Sequence, residues 1–85
     1  MEYIVTAFRS RSDTVKFSKM LSDNRIYNEI INTPKEAGVG CGLSVKTSTS
    51  LQNLVKMALR KGHFSSFAGI FNVKTIGGKR IVSTI

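Results

Sequence analysis

The chain has no tryptophan and only one cysteine, one histidine and one proline among its 85 residues. A lone cysteine, Cys41, excludes an internal disulfide, so the fold does not depend on an oxidising compartment. Cys41 and His63 together are too few for a structural zinc site and show no ligand spacing. No metal and no cofactor is expected. Serine is plentiful, but none lies in a nucleophile-elbow motif, and paired carboxylates for acid–base work are absent. No apolar run approaches the roughly 18 residues needed to cross a bilayer. The start, Met1-Glu2-Tyr3, lacks the basic-then-apolar layout of a signal peptide, so a cytoplasmic protein is expected. Acid is the other scarcity. All five acidic residues (Glu2, Asp13, Asp23, Glu29, Glu36) fall in the first 36 positions. Residues 37–85 carry Lys46, Lys56, Arg60, Lys61, Lys74, Lys79 and Arg80 against none, within a net charge of +8. Such a field favours an anionic partner or serves as a solvated basic surface.

What is present reads as one small domain spanning residues 1–85. Residues 2–8 are β-rich and nearly continuous in apolar character, as in a central strand. Ser10 and Ser12 offer N-caps for a first helix to about Asn24, whose apolar stripe is Phe17, Met20 and Leu21. Ile26 to Ile31 read as a second strand ended by Thr33-Pro34, and Leu43 to Thr47 as a third. Thr49 and Gln52 match a capping box, and Leu51, Leu54, Val55, Ala58 and Leu59 then follow the helical period up to Gly62, read as the C-terminal cap. Phe67 to Lys74 is a fourth strand. Gly77-Gly78 makes a two-residue hairpin turn into a fifth, Arg80 to Ile85. The order βαββαβ plus a terminal strand predicts an α+β, ferredoxin-like sandwich with an added C-terminal β-hairpin strand. Apolar residues fall on both faces of the first and fourth strands, which suggests a homodimer covering the sheet face without helices.

The residue that draws attention is Cys41, set between Gly40 and Gly42 just before the third strand. A structural cysteine usually behaves as a small hydrophobe among bulky neighbours. Here nothing adjacent in sequence can bury it, and a loop-to-strand junction suits an accessible nucleophile on a rigid support. Lys35 and Lys46 flank the loop in sequence and could favour the thiolate, with Glu36 opposing. Other features have two readings each. Lys56 and Arg60, one turn apart, and the neighbouring Lys61 form either a weak anion-docking stripe or a solvated face. Phe67 and Phe71 would share one sheet face, for base stacking or for packing. His63 reads as a capping or surface residue, and the glycines at 38, 40 and 42 as a flexible turn or a small anion nest.

The stretch Thr33-Pro34-Lys35, then Cys41-Gly42-Leu43-Ser44-Val45-Lys46, resembles the signature of a family of small bacterial selenium/sulfur carrier-like domains. The likeness extends over roughly residues 2–73. It implies a ferredoxin-like fold, Cys41 as the chalcogen-bearing nucleophile, Gly42 as its backbone support, and Thr33, Pro34 and Lys35 as shapers of the loop. Gly40 and Lys46 join the loop support by their position in this sequence, the extra loop glycines being a departure from the family pattern. The partners it implies are a sulfur or selenium donor protein and an acceptor, with weak polyanion binding as a property of the basic second half. The alternative class is a nucleic-acid-binding or regulatory interaction module that performs no chemistry.

Overall fold

A computed structural model describes residues 1–39 and 42–85. Along the chain come β1 (Glu2–Phe8), α1 (Arg11–Asp23), β2 (Glu29–Asn32), β3 (Leu43–Thr47), α2 (Gln52–Gly62), β4 (Phe67–Ile76) and β5 (Lys79–Thr84). The architecture is α+β: one antiparallel sheet in the order β2-β3-β1-β4-β5, with two helices. β1 is central, paired with β3 on one edge and β4 on the other, which is why its apolar run is buried from Ile4 to Phe8. β5 lies outside β4, so the order is one strand longer than a plain four-stranded ferredoxin-like sheet. The β4–β5 turn uses Gly77 and Gly78 at φ +55° and +79°, as their sequence position requires. Among the described residues no helix is long and apolar enough to cross a membrane.

Both helices bury their stripes in one core. Phe17 and Leu21 from α1 and Val55 and Ala58 from α2 meet Ile4, Phe8, Val45 and Ile70 of the sheet. Phe8 anchors an aromatic cluster, with ring centres 5.4 Å from Phe17, 5.2 Å from Phe64 and 6.2 Å from Phe67. Pairs tilted at these separations add attraction beyond the buried area.

Several local expectations are corrected. Ile26 to Asn28 are not strand: Arg25 takes a left-handed conformation, and the Ile26 amide donates back to the Leu21 carbonyl. Asn28 then hydrogen-bonds Ser18 and Ser22 of α1, so pairing begins only at Glu29. Thr49 does not cap α2. Ser48 caps a 3-10 turn, Thr49–Leu51, that runs into the helix. Leu54 is 47% exposed, because the helix faces the sheet along the narrower seam of Val55 and Ala58. Gly62 belongs to the helix, and His63 adopts the left-handed cap conformation. The glycine has a different reason to be there, since a Cβ at 62 would run into the Phe64 ring. Phe67 and Phe71 do not share a face. A register shift between Ala7 and Phe8 pairs Phe67 with Phe8, whereas Phe71 pairs with Val5 on the opposite side.

The start of α1 is tied to the start of β4. The Ser10 hydroxyl accepts from the Asp13 amide at 3.1 Å, and the Asp13 carboxylate accepts from both the amide and the hydroxyl of Ser66. The Ser66 hydroxyl bond is the main reason the Asp13 carboxyl ionises below its ordinary range. A depressed folded-state pKa contributes stability above the unfolded value, and that contribution is lost as pH falls through the folded one. Asp13→Asn should therefore be less stable than wild type in urea at neutral pH. The gap should close on acidification below the carboxylate range, and a gap that stayed constant would rule out the ionic origin.

Candidate functional site

The β2–β3 ladder ends at the pair Asn32 and Leu43, but pairing continues one step further. The Thr33 amide donates to the Gly42 carbonyl at 2.8 Å, and the Thr33 and buried Ser44 hydroxyls are 2.6 Å apart. A main-chain bond and a hydroxyl pair thus close the neck of the loop. Gly42 leaves it at φ +98°, a conformation open to glycine and strained for other residues. After buried Pro34 comes one 3-10 turn, Lys35–Ala37, in which the Ala37 amide donates to Pro34 and the Gly38 amide to Lys35. Thr33, Pro34, Lys35, Gly38, Val39 and Gly42 line a shallow cleft of about 270 Å3. Cys41 and Gly40, the centre of the sequence reading, lie outside the described residues.

The loop does not point away from the sheet. Its 3-10 turn packs against β5. There Arg80 grips Glu36 with both ends of its fork, Nε to Oε2 and Nη2 to Oε1, each at 3.1 Å. A hydrogen bond from its own main-chain amide, followed by the Arg80 bond, holds the Glu36 carboxyl below its usual range. Arg80 is shifted upward in turn, chiefly by Glu36.

Strand pairing puts Val5, Ala7, Phe71 and Val73 on the sheet face opposite the helices, and all four are buried within the single chain. The expectation of a bare apolar face is therefore corrected, and with it goes the reason for expecting a second subunit there. A twisted five-stranded sheet brings diagonal corners toward each other on one side. This is what lets the loop beyond β2 reach the strand at the far edge.

Of the residues singled out in the sequence, Thr33, Pro34, Lys35 and Gly42 come together at the cleft. Lys46 does not join them. Its ammonium sits 4.6 Å above the Tyr3 ring, in a separate cleft with Tyr27 and Glu29. Lys56 is not part of a free stripe, because its ammonium donates to the main-chain oxygen of Ile85 at 3.0 Å. Arg60 and Lys61 are exposed in the last turn of α2, away from the loop cleft. Sequence reasoning missed Ser44 and Arg80. Ser44 stood within the signature stretch without a role, because it fills an ordinary polar slot between Leu43 and Val45. Arg80 had no signal, being 44 positions from its partner.

The second element of the site comes from α1. The Thr14 hydroxyl donates to the Leu43 carbonyl at 3.3 Å, which brings the first turn of that helix against the start of β3. Fold and loop together define a small α+β domain that presents a neck-closed, glycine-rich loop on an antiparallel sheet. The chain belongs to the family described as "Putative Se/S carrier protein-like", whose model matches residues 2–69. No curated protein and no solved structure matches it.

Proposed function

We propose that the protein is a sulfur or selenium carrier in which the Cys41 thiolate holds the chalcogen. The observation that carries this reading is the family match, which spans both the loop and its cysteine. The fold fits as a ferredoxin-like βαββαβ unit, β2-β3-β1-β4, to which β5 is added.

In the transfer, the thiolate attacks the terminal sulfur of a persulfide on a donor protein. The donor's S–S bond breaks, the donor leaves as a thiolate, and Cys41 becomes a persulfide with no net oxidation or reduction. The acceptor repeats the step on the Cys41 persulfide and regenerates the thiolate. A selenium atom follows the same course. With a single cysteine the chain has no internal resolving thiol, so release depends on the acceptor.

Glu36, the nearest acid in sequence and the group that would oppose ionisation of the thiol, is engaged by Arg80. Alkylation measured against pH tests the reading: fast labelling of native protein, with a midpoint below the free-thiol value of about 8.5, is expected. Labelling that appears only on unfolding would overturn it.

The exposed Arg60 and Lys61, in a half without acids, favour a second property, weak attachment to polyanions. Retention on a polyanion at low ionic strength should fall steeply toward physiological salt. Tight, sequence-selective binding that survived high salt would instead favour the interaction module over the carrier.

A further inference from the structure

The family match ends at residue 69, whereas β4 runs on to Ile76 and β5 follows from Lys79 to Thr84. The chain beyond the match supplies the one long-range ion pair among the described residues, since the other, Lys19 with Asp23, lies within a single turn of α1. That long-range pair ends on the loop. We propose that Arg80 is a positioning residue for the Cys41-bearing loop: the terminal hairpin acts as a strap that holds the Lys35–Ala37 turn down on the sheet, and so sets how far the loop opens to a transfer partner. The purpose given to the strap rests on the carrier reading. Its mechanics do not.

Two features support it. The guanidinium meets the carboxylate at two points, the geometry that gives an arginine pair direction as well as charge. The neck is fixed independently by Thr33, Gly42 and Ser44, so releasing Arg80 frees the turn without unpairing β2 from β3. Glu36 and Arg80 keep 41% and 43% of their side-chain surface. A pair this exposed is weak enough for a partner's own charges to displace, and it shifts an opening equilibrium by roughly two- to fivefold.

The experiment uses the full chain and two readouts, amide hydrogen exchange and alkylation of Cys41. In Arg80→Ala and in Glu36→Gln, exchange at the Ala37 and Gly38 amides should quicken roughly two- to fivefold, with Thr6 in β1 unchanged. Cys41 alkylation should rise by a similar factor. The swapped pair, Glu36→Arg with Arg80→Glu, should restore both rates, and high salt should move wild type toward Arg80→Ala. Unchanged exchange, faster exchange without faster alkylation, or acceleration that includes Thr6 would each overturn the proposal. Loss of sulfur loading is a separate matter: if Cys41 never carries a chalcogen the carrier reading fails, while exchange and alkylation still decide the strap.

Discussion

Cys41→Ser is expected to abolish all loading of sulfur or selenium while leaving the fold almost as stable as wild type. The serine hydroxyl has nearly the shape of the thiol but is not ionised at neutral pH, so it cannot attack a persulfide. Among the described residues, the loop is anchored by side chains and main chain other than those of Cys41. Thr33, Gly42 and Ser44 close the neck, and Glu36 ties the 3-10 turn to Arg80. Unfolding in urea should therefore shift by less than about 0.5 kcal/mol, the range of substitutions away from packed sites. Loading should drop to nothing, with no partial activity left for a second nucleophile, because the chain contains no other cysteine. A loss of stability beyond about 2 kcal/mol would mean that the sulfur serves packing, contrary to a carrier role.

The second large effect lies at the other end of the argument, in what holds the support rigid. Phe8 is fully buried at the end of the central strand and touches Phe17 of α1, Phe64 after α2 and Phe67 of β4. Phe8→Ala should cost about 3–5 kcal/mol, since it opens a cavity at the point where four segments meet. In a domain this small, that is about a quarter or more of the roughly 4–13 kcal/mol available. Thermal denaturation should show a fall in midpoint of more than about 12 °C. Phe67→Ala, at a ring 41% exposed, should cost clearly less. A Phe8→Ala protein within about 1 kcal/mol of wild type would contradict the assignment of the core.

The sequence made legible whatever was local and periodic. The buried run of β1, the Ser10 cap, the Phe17, Met20 and Leu21 stripe and the Gly77-Gly78 turn each follow from neighbours a few positions apart. It was less legible where a side chain outcompetes propensity. Ile26 and Tyr27 favour a strand, yet Asn28 binds the end of α1 and delays pairing by three residues. At Phe67 the apolar alternation was correct, but a one-residue slip at the end of β1 reversed its face. The return of the loop onto β5 was invisible, because Glu36 and Arg80 lie 44 positions apart in sequence and belong to opposite edges of the sheet. Charge alone gives a basic residue no address. For the site, Thr33, Pro34 and Gly42 were legible as a motif, whereas the departure of Lys46 to the Tyr3 ring follows from the twist and pairing of β3.

The central claim is that Cys41 carries a chalcogen atom, and intact mass spectrometry of the protein purified from its native host tests it most directly. The account predicts a fraction of molecules heavier by one sulfur or one selenium atom. The added mass should be removed by a thiol reductant, map to the peptide containing Cys41, and be absent from Cys41→Ser. Only the unmodified mass, both in protein from cells and after incubation with a persulfide donor, would contradict it.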